Sequence, residues 1–130
     1  MSQRLKDKHA ILTGAAGGIG LAVAQAYLEH GARCTVADVG AQPSPALASL
    51  MAQHPHTLAY VPTDVRSMAA IDALLAAAQA RFGPVTTLFN NAAIFDMAPL
   101  LQSDEAMYDT LFAVNVKGAF FVMQKVLAQI

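Results

Sequence analysis

The chain has 130 residues, one domain's worth, with 55% hydrophobic and 13% charged side chains, a mix that excludes disorder and coiled coil and calls for a large buried core. A formal net charge of -1, with the Lys and Arg scattered, leaves no basic field for nucleic acid or an anionic membrane surface. The lone cysteine, Cys34, supports neither a disulfide framework nor a Cys-based metal cluster, so a reducing cytoplasm is the expected compartment.

At the N-terminus Arg4, Lys6 and Lys8 precede an apolar run from Ala10 to Ala26, and Ala22-Val23-Ala24 imitates a leader cleavage site. Gly14, Gly17, Gly18 and Gly20 interrupt that run and would weaken any inserting helix. Elsewhere no uncharged apolar run approaches the roughly 18 residues of a membrane span, so no membrane partner is expected. His9 to Thr13 reads as a strand buried on both faces, bounded by charge before and glycine after. Ile19, Val23, Ala26 and Tyr27 then repeat at helical spacing up to His30, with Gly31 placed for a left-handed cap. Cys34 to Asp38 is a second strand, Val39 to Pro45 a loop and Ala46 to Gln53 a short helix, broken by His54-Pro55-His56. Leu58 to Val61 is a third strand closed by Pro62. Ser67 caps a long helix that runs through Phe82 and is stopped by Gly83-Pro84. Val85 to Phe89 is a fourth strand, and Ser103, with Asp104 and Glu105 in the first turn, opens a helix to the last residue.

Strands and helices alternate, which implies parallel strands joined by right-handed crossovers in a doubly wound α/β sheet of about four strands. The last stretch, Val126 to Ile130, is apolar and helical with no Gly, Asn or Pro to end it, and the fourth strand would be an unpaired edge. Residues 1–130 are therefore expected to be the N-terminal portion of a longer domain.

Directly after the first strand stands Thr13-Gly14-Ala15-Ala16-Gly17-Gly18-Ile19-Gly20, with the first helix beginning inside it. A helix N-terminus offers backbone N–H groups and partial positive charge, and glycine lets an anion approach without meeting a Cβ, so a pyrophosphate is the natural guest. Read without context, the same glycines also describe a tight turn that packs helix on strand. Asp38 supplies context, 18 residues beyond Gly20 at the end of the second strand and with no basic neighbour immediately after it. A carboxylate there accepts both hydroxyls of an adenosine ribose and repels a 2′-phosphate, favouring NAD over NADP. The plain alternative for Asp38 is a solvated residue at the start of a loop.

The spacing Gly-x-x-x-Gly-x-Gly resembles that of the short-chain dehydrogenase/reductase family, a Rossmann-like fold. Asp64-Val65 is similar to that family's adenine-contacting pair, and Asn90-Asn91-Ala92-Ala93 to its Asn-Asn-Ala-Gly segment, with Ala93 departing from the glycine. Asn115, in Val114-Asn115-Val116-Lys117-Gly118, matches the family's Asn in the long helix after the fourth strand. The resemblance implies cofactor contacts at Gly14, Ala16, Gly17, Gly18, Ile19, Gly20, Asp38, Asp64, Val65, Asn91 and Ala92. It also implies hydride transfer between NAD and an alcohol or ketone, with a Tyr acid/base, a Lys that lowers its pKa, a Ser that orients substrate and an Asn that holds a relay water. Asn90 to Leu100 resembles the corresponding stretch of the sorbitol (polyol) dehydrogenase branch, which implies a sugar alcohol as substrate. The catalytic pair is missing: four residues after Tyr27, Tyr60 and Tyr108 stand Gly31, Asp64 and Phe112, so no Tyr-x-x-x-Lys exists. A tyrosine with an ordinary pKa near about 10 is a poor base at neutral pH. As written, the chain is expected to hold a cofactor without turnover, the catalytic Tyr and Lys belonging to the longer parent; the alternatives are a silent NAD-binding or subunit-docking module and a remnant that binds nothing.

His9, His30, His54 and His56 never share a helix face, so no metal is expected and all four are placed at the surface. Cys34 reads as a small core hydrophobe. For Asn115 two readings stand together, a backbone-bonding amide that kinks the helix near Gly118 and an amide that positions a water. The last helix carries Leu111, Phe112, Val114, Val116, Phe120, Phe121, Val122, Met123, Val126, Leu127 and Ile130, too broad an apolar surface for one sheet. In the resembled family such helices pair between subunits, which implies a homo-oligomer, dimer or tetramer.

Overall fold

The computed structural model describes residues 2–96 and 98–130, and Met97, inside the stretch that resembles polyol dehydrogenases, lies outside the described residues. Strand β1 (His9–Thr13) sets the apolar run Ala10 to Leu12 between His9 and Thr13 and is buried at every position, as the middle of a sheet covered on both faces requires. Helix α1 (Gly18–Glu29) follows it and ends where Gly31 takes a φ of 96°. Next come β2 (Arg33–Asp38), α2 (Pro45–Gln53), β3 (Leu58–Pro62), α3 (Met68–Phe82) and β4 (Thr87–Phe89). Among the described residues these strands form one parallel sheet in the order β3-β2-β1-β4, with Ile11 level with Thr35 on one side and Leu88 on the other. The chain thus reverses its direction of travel beside β1, which puts the crevice at the carboxyl ends of β1 and β4.

Two apolar layers cover the sheet. One packs Ala24 and Leu28 of α1 and Leu47 and Leu50 of α2 on Leu12 and Val36; the other packs Ile71, Leu74 and Ala78 of α3 and Val122 and Val126 on Ile11 and Ala37. Cys34 is buried on β2, and desolvation pushes its thiol up to about 12, as expected of a core hydrophobe.

Several expectations change. The fourth strand begins at Thr87, not Val85, because the Gln129 side chain takes both backbone groups of Val85: Val85 N–H donates to Oε1 at 2.9 Å and Nε2 donates to Val85 O at 2.8 Å. The last helix is capped by Asp104, whose carboxylate accepts from Met107 N–H at 2.8 Å, and not by Ser103. Three segments make up this helix: α4 (Glu105–Phe112), a π-helical turn (Ala113–Gly118) and α5 (Ala119–Gln129). From Glu105 to Gln129 it is long and apolar enough, at mean hydropathy 1.4, to pass for a membrane span, which interspersed charges hide from a search for uncharged runs. Here it packs as a layer on α3, with Lys125 paired to Asp72 at 2.7 Å.

His9 is wholly buried, against the surface placement expected. Its Nδ1 lies 3.0 Å from Gly83 O and its Nε2 2.8 Å from Thr35 Oγ1. A carbonyl can only accept, so Nδ1 carries the proton and Nε2 accepts from the Thr35 hydroxyl. With both ring nitrogens partnered and the ring edge-on to Phe82, a neutral histidine is an acceptable core residue.

Candidate functional site

The turn after β1 is stitched to the segment after β4. Thr13 Oγ1 accepts from Asn91 N–H at 3.0 Å and Ala92 N–H at 2.9 Å, while Asn91 Nδ2 donates to Gly14 O at 3.1 Å. Gly14 sits at φ 65°, and a Cβ there would lie 2.8 Å from Ala92 Cα, so glycine is required for this close approach. Gly20 packs in the same way, close to Ala15 and Asn91. Gly17 and Gly18 differ, because a Cβ on either would meet nothing within 4 Å. They border open space where α1 begins, with no side-chain cap on Gly17 and no acidic residue in the first turn. The N-terminus of α1 is therefore a positively polarised surface free to take an anion, and Ile19 is 75% exposed beside it.

Asp38 ends β2 next to this turn. Its Oδ2 accepts from Ala16 N–H at 3.1 Å and its Oδ1 from Val39 N–H at 2.8 Å, which fixes the carboxylate with one free acceptor position on each oxygen. The Tyr60 hydroxyl donates to the main-chain carbonyls of Asp38 and Gly40, holding the loop that follows. Burial, then the charge of Asp38, pushes the Tyr60 phenol up, so Tyr60 is a donor and not a base.

A cleft of about 300 Å³ joins these parts, lined by Gly14, Asp38, Val39, Asp64, Val65 and Ala92 among others. Asp64 meets Arg66 through a forked pair, with Nη2 donating to Oδ2 at 2.7 Å and Nε to Oδ1 at 3.0 Å. Those bonds hold the Asp64 carboxyl below the usual carboxylate range. Val65 is buried under the last helix, where Gly118 comes so close that a Cβ would lie 2.7 Å from Val65 Cγ2.

Asn115 sits in the π-helical turn, and its amide grips one residue of the cleft wall: Ile94 N–H donates to Oδ1 at 2.8 Å and Nδ2 donates to Ile94 O at 2.9 Å. The backbone-bonding reading of Asn115 holds, and the helix is distorted across Ala113–Gly118 instead of kinked at one glycine. Asn90 works in the opposite direction, its Nδ2 donating to Ala119 O at 2.8 Å.

The fold thus gathers Gly14, Ala16, Gly17, Gly18, Ile19, Gly20, Asp38, Asn91 and Ala92 around one turn, sets Asp64 and Val65 on the β3 side of the cleft, and places Asn115 behind Ile94. Sequence reasoning missed Thr13, Ser44, Tyr60 and Arg66. A signal existed for two of them: Thr13 is the polar residue closing a buried strand before a glycine turn, and Ser44-Pro45 is an N-cap followed by proline.

The model of the family described as short chain dehydrogenase matches residues 8–130. The sorbitol dehydrogenase of Cereibacter sphaeroides is 42% identical over 123 residues, covering 95% of this chain and 47% of that protein. The galactitol 2-dehydrogenase of Agrobacterium fabrum is 44% identical over 123 residues, again covering 95% and 47%. Among solved structures, a short-chain glucose/ribitol dehydrogenase from Brucella melitensis superposes with a TM-score of 0.89 at 26% identity, covering 100% of this chain and 54% of that one. The chain therefore spans about half the length of the relatives it matches. Glycine turn, parallel sheet and family match agree, and the chain belongs to the short-chain dehydrogenase/reductase family, whose members bind a nicotinamide cofactor.

Proposed function

We propose that this chain is the cofactor-binding portion of an NAD-dependent dehydrogenase that moves hydride between NAD and a small alcohol or polyol. Asp38 carries the reading. A carboxylate has about four acceptor positions, and the N–H groups of Ala16 and Val39 take one on each oxygen. One position per oxygen is left, matching the two hydroxyls of an adenosine ribose. A 2′-phosphate would bring negative charge and no hydroxyl donor to the same place, so NAD is preferred over NADP. From there the pyrophosphate would reach Gly17 and Gly18 at the α1 N-terminus, and the base would lie toward Asp64 and Val65 on the β3 side. Bound NAD would supply the hydride acceptor.

Asn115 is the residue we place nearest the proton relay, since an amide already held by Ile94 is fixed in the way that positioning a water demands. The family's Tyr-x-x-x-Lys pair is not among the 130 residues, so we infer that they bind cofactor without turning it over. Relatives named for sorbitol and galactitol support a sugar alcohol as the substrate class. We further propose its oxidation to a ketose in the cytoplasm, with a second copy of the chain as partner.

Calorimetric titration with NAD and NADP tests the reading. NAD is expected to bind more tightly, and Asp38→Ala to weaken NAD by about 1.5 to 3 kcal/mol while narrowing the gap to NADP. Equal affinity of the unmodified protein for the two dinucleotides would overturn it.

A further inference from the structure

Asp38 does not hold its position alone. Its Oδ2 is anchored by Ala16 N–H, and the other face of that residue, the Ala16 carbonyl, accepts from the Ser44 hydroxyl at 2.5 Å. Ser44 Oγ in turn accepts from Leu47 N–H at 3.2 Å as the N-cap of α2. One hydroxyl therefore joins the start of α2 to the glycine turn, and through a single residue to the Asp38 carboxylate. The loop between Asp38 and Ser44 is consequently pinned at both ends, by Tyr60 on the carbonyls of Asp38 and Gly40 and by Ser44 on Ala16.

We propose that Ser44 is a positioning residue for dinucleotide selectivity, holding Ala16 so that its N–H keeps the Asp38 carboxylate aimed at a ribose diol. The proposal rests on the NAD reading above and extends it to a side chain that touches no cofactor. Without the hydroxyl the Ala16 carbonyl turns to solvent, the Ala16 N–H loses its fixed direction, and the Asp38 carboxylate gains freedom to swing away. A diol then loses a pre-set acceptor, whereas a 2′-phosphate gains room. The two dinucleotides move in opposite senses, so their ratio is the sensitive quantity.

A structural role alone predicts something else. Ser44 also caps α2, and loss of a cap lowers stability without distinguishing one dinucleotide from the other, because both would lie on the same turn. Glycine is nearly as good an N-cap as serine yet has no hydroxyl to donate, and threonine keeps both functions. Ser44→Ala, Ser44→Gly and Ser44→Thr therefore separate capping from donation.

The experiment is a calorimetric titration of each protein with NAD and with NADP, alongside thermal melts. Ser44→Ala and Ser44→Gly are expected to lower the NAD-over-NADP affinity ratio by about three- to tenfold, the scale of one neutral hydrogen bond, even though Ser44→Gly melts close to the unmodified protein. Ser44→Thr is expected to restore the ratio. An unchanged ratio in folded Ser44→Gly, with NAD still preferred by the unmodified protein, would overturn the positioning role. A protein that binds neither dinucleotide, or both equally, would instead overturn the NAD reading on which it stands.

Discussion

His9 shows how a residue that sequence reasoning sends to the surface comes to be buried. The first strand is covered on both faces, and its first residue finds a carbonyl on Gly83 and a hydroxyl on Thr35 within hydrogen-bond reach. Neither partner is visible in the sequence, since Gly83 and Thr35 lie 74 and 26 positions away. Burial lowers the His9 pKa below its ordinary value of 6.5, outweighing the Gly83 carbonyl, which pulls it up. The folded state therefore binds fewer protons than the unfolded state as pH drops below that value, and stability must fall with falling pH. The contribution is complete above about pH 6.5, is lost at up to about 1.4 kcal/mol per pH unit below it, and stops changing once pH passes under the lowered folded value. Urea unfolding at a series of pH values between 7.5 and 5 is expected to show this slope, and His9→Gln to flatten it. An unmodified protein whose stability is constant across that range would contradict the neutral, buried histidine.

Among the elements, the strand, turn and helix from His9 to Glu29 were the most legible. A continuous apolar run, a glycine cluster and a helical repeat each announce themselves locally, and the buried parallel strand leaves no alternation to confuse them. The turn nevertheless holds two kinds of glycine that spacing alone does not separate. Gly14 meets backbone and needs a positive φ; Gly17 is in extended backbone at φ -162° and faces open space. Gly14→Ala is expected to destabilise the fold by about 1 to 3 kcal/mol, through left-handed strain and the clash with Ala92. Gly17→Ala is expected to leave the melting temperature nearly unchanged while weakening dinucleotide binding at least tenfold, by putting a methyl group where the pyrophosphate would lie. Gly18 is a less clean probe, since its φ of 57° strains any replacement. Thermal melts with parallel titrations check both, and unchanged binding in Gly17→Ala would make the turn a packing device. What stayed illegible was tertiary: the grips of Gln129 on Val85 and Asn115 on Ile94 shorten β4 and shape the cleft wall through amides 44 and 21 positions away.

For the whole molecule, the question is what covers the outer face of the last helix. Val114, Val122 and Val126 point inward and are buried, while Tyr108, Phe112, Val116, Phe120, Met123 and Leu127 form a stripe three or four residues apart along α4, the π-helical turn and α5. All six are exposed, Leu127 to 60%. An exposed apolar stripe along one helix is expected to be a contact surface, and it suits a two-fold contact, in which the same residues of a second copy would meet it antiparallel. Among the described residues β4 is also an edge of the sheet, but its unpaired backbone groups ask for a strand and not for a helix face. Analytical ultracentrifugation of the chain is therefore expected to show concentration-dependent self-association. Phe120→Glu combined with Leu127→Glu should shift it toward monomer by placing like charges on both sides of a two-fold contact, with the circular dichroism spectrum kept because neither side chain is buried. A concentration-independent monomer would show the stripe to be no interface between copies, and association that survives both substitutions would transfer the contact to the open edge of β4.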